Sequence, residues 1–203
     1  RSKQEILIST YICHPSMAND ELSGTIASMS LIKNYINNNK LEKSLRFIFI
    51  PETIGSIAYL SKNLNNLKSK VVAGYNLTCI GDNKRHSCLL SKYANTQADI
   101  CLLEAYKKLK IKFKKYSFLE RGSDERQFNS PGVDLGIGSI MRTKYGHYKE
   151  YHTSLDNFKL VNAKGLMGGY KVIKLAVEYL LKYDEKIKIN NRRSKEKKPY
   201  SYF

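Results

Sequence analysis

The chain has 203 residues, of which 42% are hydrophobic and 26% are charged, and its 35 Lys and Arg against 18 Asp and Glu give a formal net charge of +17. This length suits one domain with a sizeable core, and the composition excludes collagen-like, low-complexity and disordered chains. The sequence has no repeat of fixed period and no uncharged apolar run of the roughly 18 residues that a membrane helix needs. We therefore predict a soluble globular protein without a membrane span.

The positive charge is concentrated in two segments. Residues 107–115 contain six lysines interleaved with apolar residues, and residues 186–198 contain seven Lys and Arg. We interpret both segments as solvated surface, with 186–203 forming a basic, disordered tail, and binding of a polyanion is the alternative. The sequence has no motif of a known nucleic-acid-binding module, so we do not expect nucleic acid as a partner.

Four cysteines are spread along the chain without a C-x-x-C pair: Cys13, Cys79, Cys88 and Cys101. This spacing indicates neither a disulfide framework nor a cysteine-rich zinc site, and it favours reduced thiols in a cytoplasmic protein. The first residue is Arg1 and not Met, and a strand-like run follows it closely. We therefore interpret the chain as a fragment of a longer protein.

Strand-like and helix-like segments alternate along the chain. Dense β-type runs at 5–13 and 45–50 enclose a segment at 22–36 whose apolar residues recur at helical spacing. Further helices are predicted at 55–64, 96–109 and 164–181, and further strands at 70–77, 115–118 and 135–141. This alternation predicts an α/β fold with a mostly parallel central sheet covered on both faces, a three-layer α/β/α structure. We expect residues 1–185 to form one catalytic domain.

Candidate metal ligands and proton carriers follow the predicted strands. They are His14 and Asp20 after the first strand, Glu52 after the second, Asp124 after a short later strand, and His152 after the last strand. In open parallel sheets the carboxyl ends of the strands share one edge, where active sites usually form. We therefore expect these five side chains to lie close together.

Each of these side chains also has a purely structural interpretation. His14 and Asp20, on one loop, suit a Zn²⁺ ion, whereas Asp20 is also a typical cap of the following helix. Glu52 suits a general base, although a carboxylate here would also stabilise a helix N-terminus. Asp124 would bind a metal or pair with a neighbouring arginine, and His152 would bind a metal or form an ordinary loop hydrogen bond. Five such residues at four successive strand ends together favour a catalytic metal site.

Basic and aromatic side chains lie near these positions in the sequence. In the loop at 142–152 they would bind an anionic group or stack on a sugar, or form an ordinary solvated loop. Two arginines flank Asp124 and would orient that carboxylate or contact a substrate. The candidate substrate-binding residues are Arg121, Arg126, Arg142, Tyr145 and Tyr151.

Four segments carry a family resemblance. In chain order they are H-P-S-M-A-N-D-E-L-S-G (14–24), F-I-P-E-T-I-G-S (49–56), R-G-S-D-E-R-Q-F (121–128) and Y-H-T-S-L-D (151–156). They resemble zinc-dependent aminopeptidases of the bacterial leucyl aminopeptidase and aminopeptidase Y type, and most closely the aminopeptidase-like domain proteins associated with polysaccharide biosynthesis. The resemblance covers about residues 6–181 and implies a zinc exopeptidase architecture of the phosphorylase/hydrolase-like fold.

The resemblance implies a role for each candidate. His14 and Asp124 would bind one zinc ion, Asp20 would bridge two metals, and His152 would bind the second metal. Glu52 matches the general base of the family. In the family the bridging aspartate precedes a cis peptide bond, so we expect one directly after Asp20.

Two departures from the family pattern change the expected metal content. Thr53 follows Glu52 where most members have a second glutamate, so a second metal would lose its carboxylate ligand. Ser16 stands where His14 would have a supporting aspartate two residues later, so that support must come from elsewhere. A single Zn²⁺ is therefore expected, with two ions as the alternative.

The candidate ligands predict a metal-dependent hydrolase. The ion would bind to His14, Asp20 and Asp124, or between Asp20 and His152 with water completing the shell. Zinc-activated water would attack a peptide or amide bond in a small peptide, amide or amino-sugar substrate, with Glu52 as general base. The alternative is a domain with little or no activity that binds a peptide, an amino sugar or a glycan. The oligomeric state is left open.

Overall fold

The central sheet contains six strands. The computed structural model describes residues 3–38 and 40–183. Within these residues the strands are β1 (Glu5–Tyr11), β2 (Ser44–Ile50), β3 (Val71–Leu77), β4 (Ser87–Leu89), β5 (Lys114–Tyr116) and β6 (Ile137–Met141). Their order across the sheet is β2-β1-β3-β6-β4-β5, and all neighbouring pairs are parallel except β4 and β6. The prediction of a mostly parallel sheet is confirmed.

Helices cover both faces of the sheet. They are α1 (Ser23–Tyr35), α2 (Ile54–Lys70), α3 (Gln97–Lys108), α4 (Glu125–Phe128) and α5 (Ala163–Lys182). A π-helical turn (Ala18–Leu22) precedes α1, and a 3₁₀ turn (Phe118–Glu120) precedes α4. Helices α1, α3 and α5 share one apolar core with β1 and β3, whereas α2 and α4 share a second core on the opposite face. The three-layer α/β/α fold expected from the sequence is confirmed.

The two cores follow from the alternation of side chains along β1. Ile6 and Ile8 lie in the first core, and Leu7 between them lies in the second core with Leu60 and Leu67 of α2. Successive strand residues point to opposite faces, so a strand that is covered on both sides is apolar at consecutive positions. This is why the start of the chain has a continuous apolar run.

Helix α5 packs tightly against the loop that follows β3. The Asn162 side chain caps α5 by accepting a hydrogen bond from the Gly165 backbone N–H at 2.9 Å. A Cβ added at Gly165 would lie 2.1 Å from the carbonyl oxygen of Gly81, so glycine is required for this close approach. The contact holds the loop after β3 against a long helix, and that loop supports the site described below.

The structure corrects several predicted boundaries. β1 ends at Tyr11, α2 extends to Lys70, and the helix predicted from residue 22 is preceded by a π-helical turn. β4 gives no signal in the sequence, because three residues are too few for a periodic pattern. The predicted basic tail at 186–203 lies outside the described residues. Among the described helices, none has the length and apolar character that crossing a membrane requires.

Candidate metal centre

The carboxyl edge of the sheet brings together side chains that are far apart in the sequence. β1 and β2 are parallel and end in register, with Tyr11 opposite Ile50. The loop after β1 therefore places His14 beside Glu52, and His14 Nε2 lies 3.9 Å from Glu52 Oε2. His152 comes from the loop after β6, and its ring centroid lies 5.2 Å from that of His14. These three side chains meet at the edge where sheets of this type form their active sites.

His14, Asp20 and His152 form a group of potential metal ligands. One ligand atom from each residue lies within 4.8 Å of the other two, and no second group of three appears among the described residues. Asp20 Oδ2 lies 3.1 Å from His152 Nε2 and 4.0 Å from His14 Nε2. Zinc prefers nitrogen and oxygen ligands of this kind, and catalytic zinc sites have three protein ligands with one open position.

Asp20 is the buried carboxylate of this group, with 1% of its surface exposed. Its Oδ1 accepts a hydrogen bond from the Tyr11 hydroxyl at 2.5 Å, and the Cys79 sulfur lies 3.5 Å from the same oxygen. Its Oδ2, the oxygen nearest the two histidines, has no hydrogen-bond partner among the described residues. The close neighbours of this oxygen are the two histidine nitrogens, so a cation between Asp20 and the histidines fits this arrangement.

The π-helical turn is anchored to two loops. The Asp156 carboxylate accepts hydrogen bonds from the backbone N–H groups of Asn19 at 2.6 Å and Asp20 at 3.1 Å. The Asn19 side-chain oxygen accepts the backbone N–H groups of Gly81 and Asp82, in the loop after β3, at 2.8 and 3.0 Å. Burial raises the pKa of Asp156, and the N–H donors oppose that rise. These contacts fix the position of the Asp20 carboxylate.

Asp20 is followed by an ordinary trans peptide bond. The described residues contain no cis peptide bond, so the expectation of one after Asp20 is wrong. Asp20 lies inside the π-helical turn, which is closed by the hydrogen bond from Leu22 N–H to Met17 O at 3.2 Å. A turn of this kind is built from trans peptide units.

Glu52 lies beside the three potential ligands and is partly buried. Its Oε1 accepts a hydrogen bond from the Ser123 hydroxyl at 2.5 Å, and the Asn76 amide donates to the same hydroxyl oxygen at 3.1 Å. Burial raises the pKa of Glu52 to about 7; the charge of Asp124 adds to the rise, and the hydrogen bond from Ser123 opposes it. A carboxyl group with a pKa near neutrality is well suited to general acid–base chemistry.

Asp124 lies outside the group of three ligands. Its Oδ1 accepts hydrogen bonds from the Thr53 backbone N–H and the Ser56 hydroxyl, both at 2.8 Å, which connect it to the start of α2. Its Oδ2 is buried and has no hydrogen-bond partner among the described residues, and burial raises the pKa of Asp124. The structure therefore places Asp124 against the segment that carries Glu52.

Four residues around the site have positive φ angles: Ser16 at 63°, Thr53 at 60°, His152 at 55° and Cys79 at 51°. Residues other than glycine rarely adopt this left-handed conformation, and each instance costs about 1–3 kcal/mol. Such residues are concentrated at functional sites, where the surrounding contacts hold them in place. The strained backbone therefore marks the same edge of the sheet as the candidate ligands.

Two of the candidate substrate-binding residues have internal partners. Arg142 is 4% exposed, and its guanidinium donates to the backbone oxygen of Asp82 at 2.7 Å and to the side-chain oxygen of Asn83 at 3.2 Å. Tyr145 is also buried, and its hydroxyl donates to Glu125 at 2.8 Å. The structure therefore gives Arg142 and Tyr145 hydrogen-bond partners within the protein.

The other candidates are accessible. Arg121 and Arg126 are exposed, and Tyr151 is partly exposed. Arg126 donates a hydrogen bond to the Thr53 hydroxyl at 3.2 Å, and the Tyr151 ring stacks on His152 with ring centroids 3.9 Å apart. Tyr151 thus contacts the potential ligand His152, and Arg126 contacts Thr53, the neighbour of Glu52.

Three residues that sequence reasoning does not single out also contact the site. Tyr11 and Cys79 contact Asp20, and Ser123 contacts Glu52. Tyr11 ends β1 and Cys79 follows β3 by two residues, so their positions at strand ends are the only signal that the sequence offers for them. Ser123 lies within the R-G-S-D-E-R-Q-F segment, where its charged neighbours are the more obvious candidates for a functional role.

The fold and the site together define an α/β protein with a candidate metal centre at the carboxyl edge of its sheet. Two histidines and a buried aspartate stand at the carboxyl edge of a mostly parallel sheet, with a partly buried glutamate beside them. The chain belongs to the family described as a domain of unknown function (DUF4910), whose sequence profile matches residues 1–183.

Relatives and solved structures give the same description of the fold. A Clostridium acetobutylicum protein named as a polysaccharide biosynthesis protein with an aminopeptidase-like domain is 41% identical over 169 residues, which are 83% of this chain and 38% of that protein. A crystal structure of a protein assigned as a peptidase from the same organism has a TM-score of 0.83 at 38% identity, over 89% of this chain and 42% of that chain. A zinc aminopeptidase from Bacillus subtilis has a TM-score of 0.74 at 18% identity, over 90% of this chain and 47% of that chain. The resemblance stated from the sequence is confirmed.

The chain spans less than half the length of each of these proteins, at 38%, 42% and 47%. Similarity at 18% identity establishes a shared fold, and a shared fold does not by itself determine a reaction. The chemistry of this chain therefore has to be argued from its own side chains.

Proposed function

We propose that this chain carries the metal site of a zinc-dependent hydrolase of the aminopeptidase type, with one zinc ion held by His14, Asp20 and His152. The observation that carries the proposal is the Asp20 Oδ2 atom, which is buried without a hydrogen-bond partner among the described residues and lies 3.1 and 4.0 Å from the two histidines. Bound zinc supplies Lewis-acid chemistry, because it polarises a carbonyl group and lowers the pKa of water.

Glu52 is the general base in this proposal. Its Oε2 lies 3.9 Å from His14 Nε2, and its Oε1 is held by the Ser123 hydroxyl, so the free oxygen is directed towards the proposed ligands. Glu52 would take a proton from the attacking water and pass it to the leaving amine. Burial raises the pKa of Glu52 above its ordinary value, which favours a group that both takes up and returns a proton.

The proposed substrate is a small peptide, an amide or an amino sugar. Two accessible side chains border the site: Arg126 offers a guanidinium next to Thr53, and Tyr151 offers an aromatic face next to His152. Arginine forms directed hydrogen bonds with carboxylates, and tyrosine contacts both apolar and polar groups of a substrate. We therefore keep Arg126 and Tyr151, with the exposed Arg121, as substrate contacts.

Substitution of Glu52 by Gln tests this function. The change keeps the size of the side chain and removes the base, so kcat for aminoacyl-amide substrates should fall about 10²–10⁴-fold. The zinc content should stay at the wild-type level, because Glu52 is not one of the three ligands. Zinc by elemental analysis and hydrolysis of a panel of aminoacyl p-nitroanilides measure the two effects on the same preparation.

The matched control is Glu104→Gln. Glu104 forms an exposed ion pair with Lys107 on α3 at 3.6 Å and is not one of the candidate site residues, so its substitution should leave both kcat and zinc content unchanged. Full activity in the Glu52→Gln chain would refute the assignment of the base. Absence of zinc from the wild-type chain after zinc is supplied would refute the metal site.

A domain that binds zinc and a peptide, amino sugar or glycan without hydrolysis is the second candidate. It is favoured by Thr53, whose side chain offers no carboxylate and whose backbone N–H is bound to Asp124. Such a domain would bind zinc but hydrolyse no member of the substrate panel.

We also propose that residues 1–185 act as one domain and that the protein is cytoplasmic, where its four free cysteines would stay reduced.

A further inference from the structure

Cys13 lies between the end of β1 and the ligand His14, and it is the exposed member of the four cysteines. The other three, Cys79, Cys88 and Cys101, are buried. A lone exposed thiol has no function by itself, but this one contacts two elements of the candidate metal centre at once.

The Cys13 sulfur lies within hydrogen-bonding distance of two nitrogen atoms. His14 Nδ1 lies 3.2 Å from Cys13 Sγ, and the backbone N–H of Glu52 donates to the same sulfur at 3.1 Å. The other ring nitrogen of His14, Nε2, faces the carboxylates of Asp20 and Glu52 at 4.0 and 3.9 Å. The imidazole therefore has one nitrogen towards the proposed ion and the other against the thiol.

We propose that Cys13 is a positioning residue that orients His14 for zinc and holds the Glu52 backbone beside it. The inference rests on the proposed function, because it takes zinc as the ion that His14 binds. A histidine that binds a metal through Nε2 carries its proton on Nδ1, and an acceptor for that N–H fixes the ring orientation. In this chain the acceptor is a cysteine sulfur.

The sulfur links the two loops that follow β1 and β2. The Nδ1–H of His14 comes from its own loop, and the N–H of Glu52 comes from the neighbouring loop. Removing the sulfur would free the imidazole to rotate and would release the Glu52 backbone into water. Because Cys13 is exposed, both freed N–H groups can be solvated, so the stability of the fold should change little while the zinc affinity falls.

The test compares zinc affinity, measured by competition with a chromogenic chelator, in the wild type, Cys13→Ala and Cys13→Ser. Loss of the acceptor in Cys13→Ala should weaken zinc binding about 10–100-fold. Cys13→Ser keeps an acceptor and should recover most of that loss. Ile12→Ala is the control, because it truncates the exposed neighbour without changing a contact to His14, and it should bind zinc as the wild type does. The melting temperature of each zinc-free chain should stay within about 2 °C of the wild type.

Alkylation gives an independent measurement on the native chain. Iodoacetamide should modify one thiol in the zinc-free wild type, and peptide mass spectrometry should place the adduct on Cys13, since the other thiols are buried. The modified chain should bind zinc as weakly as Cys13→Ala does, and the same treatment should leave the zinc affinity of Cys13→Ser unchanged.

Two failures can be distinguished. If Cys13→Ala binds zinc as tightly as the wild type, Cys13 does not position His14, and the proposed function stands without it. If the wild type binds no zinc, while its fold is intact by circular dichroism, the proposed function is overturned and the role of Cys13 with it.

Discussion

Two buried carboxyl groups lie near the same edge of the sheet and have opposite surroundings. Glu125 accepts hydrogen bonds from the backbone N–H groups of residues 122 and 123 and from the Tyr145 hydroxyl, and its second oxygen accepts from Ser139 and Asn76, all at 2.8–3.3 Å. Asp20 has one oxygen bound to a tyrosine hydroxyl and one oxygen without a hydrogen-bond partner among the described residues.

In our proposal, this difference separates a structural carboxyl group from a metal ligand. Each oxygen of Glu125 is occupied by protein donors, so no position is left for a ligand. The second oxygen of Asp20 faces two histidine nitrogens, at 3.1 and 4.0 Å, and these nitrogens are themselves potential metal ligands. Both carboxyl groups are buried. They differ in whether each of their oxygens accepts hydrogen bonds from protein donors.

The largest expected effect comes from removing the Glu125 carboxyl group, whose two oxygens both accept hydrogen bonds from protein donors. Glu125→Ala would leave its donors without an acceptor in the interior, so the free energy of unfolding should fall by about 3–5 kcal/mol. Urea denaturation of the zinc-free chain measures this loss. A loss below about 1 kcal/mol would show that the five donors find other partners and would weaken the contrast with Asp20.

The next effect comes from Asp20→Asn, which should lower the zinc affinity and leave the stability of the fold nearly unchanged. The variant keeps an acceptor for Tyr11 and places an amide nitrogen near the histidines, so the unfolding free energy of the zinc-free chain should change by less than about 1 kcal/mol. Its zinc affinity should fall more than about 100-fold, beyond the range of changes outside the ligand shell. Zinc competition and urea denaturation on the same variant measure both. Equal losses in stability and zinc affinity would contradict the comparison.

A further expected effect is a pH dependence of stability in the zinc-free chain. The pKa of Glu52 is about 7 in the folded chain against an ordinary value of 4.5, so between these values the folded state holds more protons than the unfolded state. Stability should therefore decrease as the pH rises from about 5 to 8. Glu52→Gln should remove this part of the slope in urea denaturation at several pH values. A constant difference between the two chains at pH 5 and pH 8 would contradict the raised pKa.

Most of the fold follows from the sequence, because its strands and helices have strong periodic patterns. The continuous apolar run of β1 predicts a strand covered on both faces, and the structure confirms it with Ile6 and Leu7 in different cores. β4 is missing from the prediction because three residues show no period. Its antiparallel pairing with β6 is a tertiary contact that no local pattern encodes.

The site could be predicted in part. The strand-end rule brings His14, Asp20 and His152 to one place, because the ends of parallel strands coincide. It does not show which side chains are already occupied: Arg142 is bound to residues about 60 positions earlier, and Asp124 to the start of α2. Such partners come from distant segments of the chain, so only the folded structure reveals them.

The most direct test of the contrast is the number of zinc ions per chain, determined by elemental analysis after saturation with zinc and removal of the excess. The wild type and Glu125→Gln should each hold one zinc per chain, and Asp20→Asn should hold none. Zinc retained at one per chain by Asp20→Asn, or absent from the wild type, would contradict the central claim that the Asp20 carboxylate oxygen facing the two histidines is a metal ligand.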